Sequence, residues 1–503
     1  MLKKRIPLLV LVILGVLSLS NPAFAGFDET VNAALAPISK AVSNFIFLSV
    51  TLNGADIPLI VVWLIACSIF FTFYLRVLTP RNIITSLKMV RGDYSNPNHD
   101  GQISHFKALT TALSGTVGVG NIGAVAFAIT IGGPGALFWI IVGGLLGASL
   151  KCAECTLGVK YRTKHADGSV SGGPMYYLEE GLKEKNLPGL GKIIGCIYAA
   201  FIVIGCLGIG NMFQSNQAYE QLQLVTGGAD GFLFGKGWLV GGIMAFIVGL
   251  VLIGGIQSIT RVTSKLVPGM AGIYFIAALI VIGLNIEELP GVITDVVTQA
   301  FNPAGITGGL FAVMIIGFRR STFSNEAGLG SSSIAHAAVK TNQPASEGLV
   351  GLLEPLIDTV IICPLTGLVI LLTVFSPEMV GGDVQGVQLT SAAFETVIWW
   401  FPNVLAIVIV LFAFSSIIAW GYYGQKGWIY LFGNNPAQNK IFLLIYCMFV
   451  LIGCTLDLGV IIDFSDAIVF CMALPNVLGL YFLAPIVKRE VGTYLEKLRS
   501  VET

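Results

Sequence analysis

The amino-acid sequence predicts an all-α polytopic membrane protein with about eleven transmembrane helices. Of its 503 residues, 55% are hydrophobic and only 11% are charged, whereas a soluble globular protein carries about 25% charged residues. Apolar stretches of about 20 residues, which is the length of a membrane-spanning helix, recur along the whole chain. The composition therefore excludes a water-soluble protein of this size. A net charge of zero gives no reason to expect a nucleic-acid partner.

The N-terminus has the pattern of a secretory signal peptide. Lys3, Lys4 and Arg5 precede an apolar run, and a small-x-small sequence ends at Ala25. A basic segment, an apolar segment and such a cleavage site are typical of a signal over residues 1–25. Cleavage would leave residues 26–503 as one transmembrane transporter domain. An uncleaved first membrane helix is the alternative.

Eleven apolar stretches follow the signal, and no stretch between them resembles an independent soluble domain. They lie near residues 57–75, 106–131, 134–158, 190–222, 238–257, 264–285, 303–321, 346–375, 392–423, 439–457 and 462–487.

The basic residues give these spans an orientation. After the signal, every Lys and Arg except Lys40 and Lys236 falls on one set of loops or helix ends. Because positively charged residues stay on the cytoplasmic side, we expect a multi-pass protein of the bacterial inner (plasma) membrane. Its N-terminus would lie outside and its C-terminus in the cytoplasm.

The spans divide into one leading helix and two groups of five with opposite topology. Inverted repeats of this kind are common in transporters, where the binding site lies at interrupted helices in corresponding positions. The first span of each group is interrupted by glycines, over residues 114–123 in the first group and 303–309 in the second. Each glycine costs a helix about 1 kcal/mol relative to alanine. Two unwound segments at mid-membrane depth are therefore predicted.

The first interruption, Gly118-x-Gly120-x-x-Gly123, also matches a dinucleotide-binding fingerprint. That fingerprint requires a strand before it and a helix after it within a βαβ unit, and here it lies inside an apolar membrane segment. Nucleotide binding is therefore excluded. Close packing of helices is the alternative to unwinding.

An unwound helix segment could bind an amino-acid substrate and its coupling ion. Amides that are free at Val119 and Gly120 would receive a carboxylate at the positive end of the following half-helix. Unpaired carbonyls, together with the hydroxyls of Ser415 and Ser416, would coordinate Na⁺, since hard cations prefer oxygen ligands. Gln214 is a candidate for the lining of the pocket, although a structural bond between helices would also explain it.

Ionisable residues within spans are functional candidates because they are costly there. Glu154, Glu354 and Asp358 are such residues. Arg320 and Glu326 could form an inner gate by pairing, or they could belong to a charge cluster that sets topology.

Several segments make the sequence resemble the alanine or glycine:cation symporter family. They are residues 118–121 (Gly-Val-Gly-Asn), 132–139 (Gly-Gly-Pro-Gly-Ala-Leu-Phe-Trp), 323–331 (Phe-Ser-Asn-Glu-Ala-Gly-Leu-Gly-Ser), 335–338 (Ala-His-Ala-Ala), 354–359 (Glu-Pro-Leu-Ile-Asp-Thr) and 412–416 (Phe-Ala-Phe-Ser-Ser). The resemblance implies a LeuT-like fold of five plus five inverted helices with one extra N-terminal helix.

The resemblance also implies roles for individual residues. The substrate-binding residues would be Val119, Gly120, Asn121, Gln214 and Trp420. One Na⁺ site would use the carbonyls of Ser114 and Val117 with Ser415 and Ser416, and a second would use Asn121 with the Thr116 carbonyl. The sequence departs from the family pattern at Val119, where a Thr is common, and also at Ile140-Ile141, Arg319-Arg320-Ser321 and Gly421. These departures bear on substrate preference.

The predicted function is secondary active symport of a small neutral amino acid, alanine or glycine, coupled to Na⁺. A proton-coupled transporter, or a channel or receptor on the same fold, is the alternative. An enzyme is disfavoured because no H-E-x-x-H motif occurs and only four His are present, and pumping by ATP is disfavoured because no G-x-x-x-x-G-K-[ST] motif occurs. No cofactor is expected besides Na⁺ as the coupling ion, and no obligatory protein partner is evident.

Overall fold

The computed structural model describes residue 37 and residues 40–52, 54–96, 98–165, 168–303, 308–381 and 386–502. The predicted signal peptide lies outside these residues. The described chain is built almost entirely of helices, with two short antiparallel hairpins, β1–β2 (Ser49–Leu52 and Ala55–Pro58) and β3–β4 (Thr163–Lys164 and Val170–Ser171).

The described residues from 59 to 284 form ten α-helices and two π-helical segments. The helices are α1 (Leu59–Leu75), α2 (Pro80–Arg91), α3 (His105–Thr116), α4 (Val125–Gly132), α5 (Gly135–Lys160), α6 (Pro174–Glu184), α7 (Pro188–Leu207), α8 (Phe213–Val225), α9 (Gly237–Ile253) and α10 (Gly255–Leu284). The π-helical segments Gly120–Ala124 and Gly208–Met212 lead into α4 and α8, and the 3-10 turn Gly228–Asp230 follows α8.

The described residues from 289 to 502 form ten further α-helices. They are α11 (Leu289–Phe301), α12 (Gly309–Asn325), α13 (Ser333–His336), α14 (Pro344–Gly351), α15 (Leu353–Pro355), α16 (Cys363–Thr373), α17 (Val387–Glu395), α18 (Phe401–Phe432), α19 (Pro436–Gly453) and α20 (Leu458–Glu502). A π-helical segment, Leu356–Ile362, joins α15 to α16, and the 3-10 turn Pro377–Met379 follows α16.

Seven helical segments of the described chain are long and apolar enough to cross a membrane. Two bent pairs, α1 with α2 and α3 with Gly120–Gly132, raise the number to nine if each pair is one span. Helix α9 is apolar but only 17 residues long. The all-helical membrane architecture is confirmed, and the number of eleven spans stays a prediction.

The first interrupted helix breaks where the glycines predict it. Helix α3 ends at Thr116, and Val117 leaves the helical conformation with ψ at 89°. The next helical segment is inclined by 48° to α3. A Cβ on Gly118 would lie 2.5 Å from Ser416 Oγ, so this break is packed tightly against α18. We call residues 117–119 the first break.

The predicted second interruption, residues 303–309, lies largely outside the described residues and stays a prediction. Helix α12 begins after it, at Gly309, and runs unbroken to Asn325. The helix is interrupted after Asn325, where Glu326, Gly328 and Gly330 all have positive φ angles of 58°, 88° and 76°. The left-handed conformation costs a residue such as Glu326 about 1–3 kcal/mol. We call residues 326–332 the second break.

The segment before α3 and the segment beyond the second break meet at one end of the molecule. Ile103 and Val339 form a parallel β-bridge, and a Cβ on Gly101 would lie 2.0 Å from the Val339 carbonyl oxygen. Arg162 donates to the carbonyls of Ala337 (2.8 Å), Val339 (2.6 Å), Asp100 (2.8 Å) and Thr341 (2.7 Å). Nearby, a hydrogen bond from Lys164 lowers the pKa of the Asp100 carboxyl.

Candidate site between the two breaks

Two side chains accept hydrogen bonds from the backbone amides of the first break. Asn121 Oδ1 accepts a hydrogen bond from the Gly118 N–H at 3.0 Å, and Gln214 Oε1 accepts one from the Val119 N–H at 3.3 Å. A Cβ on Gly120 would have the ring of Phe323 as its nearest neighbour, at 3.8 Å. The structure therefore brings Val119, Gly120, Asn121 and Gln214 together, with room for one more carbon atom beside Gly120.

Ser416 faces this break from α18. Its Oγ is buried and has no hydrogen-bond partner among the described residues. Ser415 Oγ, in contrast, donates to the Phe412 carbonyl of its own helix at 2.9 Å. An orphaned buried hydroxyl is costly unless a ligand completes it. Of the predicted serine pair, Ser416 is thus the better placed to hold a cation, and such an oxygen suits Na⁺.

A second polar cluster surrounds the carboxylate of Asp358. Asn121 Nδ2 donates to Asp358 Oδ1 at 2.5 Å, and Ser324 Oγ and Thr359 Oγ1 donate to Oδ2 at 2.7 and 2.6 Å. These groups are all buried. The sequence named Asn121 as an ion ligand and Asp358 only as an intramembrane acid, and it did not single out Ser324. Thr116 lies in the last turn of α3, where its Oγ1 donates to the Ala112 carbonyl at 3.4 Å.

Trp420 lies between the two breaks. Its ring packs so closely on Gly210 that a Cβ there would lie 2.1 Å from the indole. Its Nε1 donates to Glu326 Oε1 at 3.1 Å. The predicted pocket residue therefore contacts the second break directly.

The predicted pairing of Arg320 with Glu326 is wrong. Arg320 and Arg319 both form ion pairs with the carboxylate of Asp466 near the start of α20. The distance from Arg319 Nη2 to Asp466 Oδ2 is 2.7 Å. Glu326 instead bonds to Ser331 and Trp420. The physical reason is the position of the break, because Arg320 lies within α12 and Glu326 lies beyond its end. The guanidinium of Arg320 also stacks on the ring of Phe323, 5.1 Å from its centroid.

A chain of buried charges lies behind the second break, and sequence reasoning missed most of it. Lys151 Nζ is 3.3 Å from Glu354 Oε2 and donates to Ser332 Oγ at 2.6 Å. His336 lies 2.7 Å from Glu354 through Nε2 and 2.7 Å from Glu347 through Nδ1, and His105 Nδ1 is 2.6 Å from the same Glu347. The lysine inside the apolar run of α5 was a signal that could have found this network, since intramembrane charges need partners.

Comparison with known proteins assigns this architecture to a family. Residues 41–503 match the family model described as "Sodium:alanine symporter family". The chain belongs to the sodium:alanine symporter family. It is therefore a transporter rather than an enzyme, and specifically a Na⁺-coupled amino-acid symporter, as predicted.

Relatives within the family differ in the substrate that their names give. The chain is 36% identical to the sodium/alanine symporter AgcS of Methanococcus maripaludis, over 87% of this chain and 94% of that protein. It is 31% identical to the probable sodium/glutamine symporter GlnT of Bacillus subtilis, over 88% of this chain and 89% of that protein.

A solved structure supports the predicted LeuT-like fold. The crystal structure of MhsT in complex with L-phenylalanine matches with a TM-score of 0.54 at 16% identity, covering 79% of this chain and 99% of that one. At this identity the match shows the fold alone, and it confirms the predicted fold class.

Proposed function

We propose that this symporter imports alanine or glycine together with Na⁺ across the bacterial inner membrane. The observation that carries the proposal is the convergence on Gly118–Asn121 of an orphaned hydroxyl, Ser416, and a buried carboxylate, Asp358. A zwitterion and a cation both need such groups, because burying either one without partners is costly.

The substrate carboxylate is assigned to the amides of Val119 and Gly120. In the described structure Gln214 accepts from the Val119 N–H at 3.3 Å, so an arriving carboxylate takes the place of a neutral acceptor. Exchange of an amide oxygen for a charged oxygen strengthens the hydrogen bond. Asn121 and Trp420 complete the proposed substrate-binding set.

The pocket suits a small side chain. Phe323 lies 3.8 Å from the Cβ position of Gly120, and its ring meets that of Phe213 edge-on with centroids 5.4 Å apart. These two rings close the space beside Gly120. A bulky substrate would have to displace them, whereas a methyl group or a hydrogen would not.

Two Na⁺ sites are proposed. The first uses the carbonyls of Ser114 and Val117 with Ser415 and Ser416, and the second uses Asn121 and the Thr116 carbonyl. To the second site we add Asp358 and Ser324, which bind Asn121 or one another. A carboxylate in that site supplies the charge that a Na⁺ ligand set needs.

Proton coupling is the second candidate, and Asp358 favours it. In the described chain this carboxylate accepts hydrogen bonds from the neutral side chains of Asn121, Ser324 and Thr359. A buried carboxylate in such surroundings holds either a cation or a proton. Uptake in a Na⁺-free pH gradient separates the two.

Uptake into proteoliposomes tests the proposal. An inward Na⁺ gradient should drive accumulation of labelled alanine or glycine, and unlabelled substrate inside should accelerate entry by exchange. Glutamine and phenylalanine serve as matched substrates with larger side chains. Accumulation without Na⁺, or entry without exchange, would contradict Na⁺ symport and favour proton coupling or a channel respectively.

The proposed topology places the N-terminus outside, after removal of residues 1–25, and the C-terminus in the cytoplasm. N-terminal sequencing of the mature protein should begin at Gly26. A reporter fused after Thr503 should have cytoplasmic activity, and periplasmic activity would contradict the orientation.

A further inference from the structure

Helix α2 turns sharply away from the apolar helix that precedes it. The two helices α1 and α2 meet at an angle of 93°. Helix α1 has 17 residues and is therefore about 25 Å long, which nearly crosses the hydrocarbon core of a bilayer, about 30 Å thick. A helix that turns through a right angle where such a segment ends lies along the membrane surface. This geometry places α2 at the boundary between lipid and water.

The face of α2 that packs on the protein is mainly polar. Its buried residues are Asn82, Thr85, Ser86 and Met89. Asn82 Nδ2 donates to the Val77 carbonyl at 2.8 Å, and Ser86 Oγ donates to the Leu349 carbonyl of α14 at 2.7 Å. These hydrogen bonds fix which side of the helix is turned outward.

The outward face of α2 combines apolar and basic side chains. Ile84 and Leu87 are 55% and 53% exposed, and Arg81, Lys88 and Arg91 are exposed on the same helix. These residues recur at spacings of three and four, so they form one stripe along the helix surface. We call Arg81, Ile84, Leu87 and Lys88 the α2 stripe.

Positive charge dominates this part of the chain. The sequence contains no Asp or Glu from residue 57 to residue 92. The first acid after α2 is Asp93, which pairs with Arg91 at 2.7 Å. A further cation comes from α20, because Lys488 is exposed and its Nζ lies 4.2 Å from the centroid of the Tyr74 ring, in the last turn of α1.

The two halves of the α2 stripe need different surroundings. Ile84 and Leu87 favour an apolar environment over water, whereas Arg81 and Lys88 favour water or an opposite charge over hydrocarbon. The boundary of a lipid leaflet offers both, because acyl chains begin directly below a layer of phosphate groups. Helices with basic residues beside exposed apolar residues bind this layer, and they bind it more strongly when the lipid is anionic.

We propose that the α2 stripe is a binding surface for an anionic phospholipid. The headgroup phosphate lies between Arg81 and Lys88, and the upper part of the acyl chains lies against Ile84 and Leu87. The predicted orientation of the basic residues makes this the cytoplasmic leaflet. The surface belongs to neither break, so it does not depend on the substrate or on the coupling ion.

Photo-crosslinking of the full-length protein in proteoliposomes tests the surface. The liposomes consist of phosphatidylcholine with a trace of photoreactive phosphatidylglycerol, and labelled segments are mapped by mass spectrometry. Unlabelled phosphatidylglycerol should displace the label from residues 80–91, and the same amount of extra phosphatidylcholine should not. Inorganic phosphate should not displace it either, because phosphate has no acyl chain. Displacement by phosphate would overturn the lipid surface in favour of a site for a free anion.

Two double variants test the charges of the α2 stripe. Arg81→Gln with Lys88→Gln should lower labelling of residues 80–91 by about five-fold for each charge removed, at low ionic strength. Arg81→Lys with Lys88→Arg keeps both charges and should retain most of the labelling. Unchanged labelling in the glutamine variant would overturn the surface.

Lys183→Gln with Lys192→Gln is the matched control. These lysines of α6 and α7 are exposed, and they pair with Glu180 at 3.2 Å and with Glu179 at 3.0 Å. Their loss removes the same number of charges and should leave labelling of residues 80–91 unchanged. An equal decrease in both glutamine variants would overturn the surface, because labelling would then follow net charge alone. Displacement by phosphatidylcholine as effective as that by phosphatidylglycerol would also overturn it.

Discussion

The two breaks are made of different chemistry. The first consists of glycine and valine, and the groups around it are neutral apart from Asp358: Asn121, Gln214 and Ser416. The second is bordered by Lys151, Glu154 and Glu326, and His336 and Glu354 extend these charges. The two breaks therefore differ in the charge of the side chains around them.

This difference favours separate tasks for the two breaks, and we propose that the first one binds the ligands. It has an orphaned hydroxyl at Ser416, and a Cβ on Gly120 would meet nothing nearer than the ring of Phe323, at 3.8 Å. The second has its polar atoms largely engaged by side chains from surrounding helices.

The largest effect should follow loss of the buried cation behind the second break. Lys151→Met leaves Glu354 with His336 as its nearest basic neighbour and removes a donor to Ser332. Breaking a buried ion pair on one side costs about 3–5 kcal/mol. We expect a large loss of folded protein, measured by thermal unfolding of the detergent-solubilised chain.

Lys160→Met is the control for that variant. Lys160 pairs with Glu490 at 2.8 Å, but both side chains are partly exposed, at 20% and 23%. Partly exposed pairs of this kind are worth less than about 1 kcal/mol. If the two lysine variants unfold at the same temperature, the charge network does not support the second break.

A smaller effect is expected from filling the first break. Gly118→Ala places a Cβ 2.5 Å from Ser416 Oγ and 3.2 Å from Gln214 Oε1. Overpacking of this kind costs about 1–3 kcal/mol, so apparent Na⁺ affinity in uptake assays should fall by about ten-fold or more. Gly272→Ala, where no atom lies within 4 Å of the new Cβ, should leave uptake unchanged. An unaltered Na⁺ response in the Gly118 variant would remove the first break from the ion site.

The smallest effect should come from one hydroxyl at the first break. Ser416→Ala removes a proposed Na⁺ ligand worth about 1 kcal/mol, so the Na⁺ concentration for half-maximal uptake should rise about five-fold. Ser149→Ala removes another buried hydroxyl without a partner in the described chain, in α5, and should have no such effect. Equal Na⁺ dependence in the two serine variants would contradict the assignment of Ser416.

Much of the first break could be predicted because its cause is local. Glycines at 118, 120 and 123 inside an apolar stretch weaken a helix wherever it lies, and the break was found there. A polar side chain within a span singled out Gln214, and the resemblance to a known family added Trp420; the structure places Gln214 at the first break and Trp420 at the second.

The second break, residues 326–332, was not predicted. The sequence pointed to the glycines of residues 303–309, of which 304–307 lie outside the described residues, and helix propensity does not distinguish these glycines from Gly328 and Gly330. The second break is held in part by partners that lie far away in the chain, such as Tyr198 and Asn476, and spacing along the chain does not reveal them.

The sequence by itself determined that this chain is a helical membrane protein, which family it resembles, and where its first helix comes apart, because composition and local glycine content decide these properties. Only the tertiary structure decided which buried charge meets which. Arg320 forms an ion pair with Asp466, and Lys151 forms one with Glu354, although each pair is far apart in the sequence. A charged side chain inside a membrane is costly unless it is paired, and its partner is the opposite charge that helix packing places nearby. Spacing along the chain does not reveal that partner.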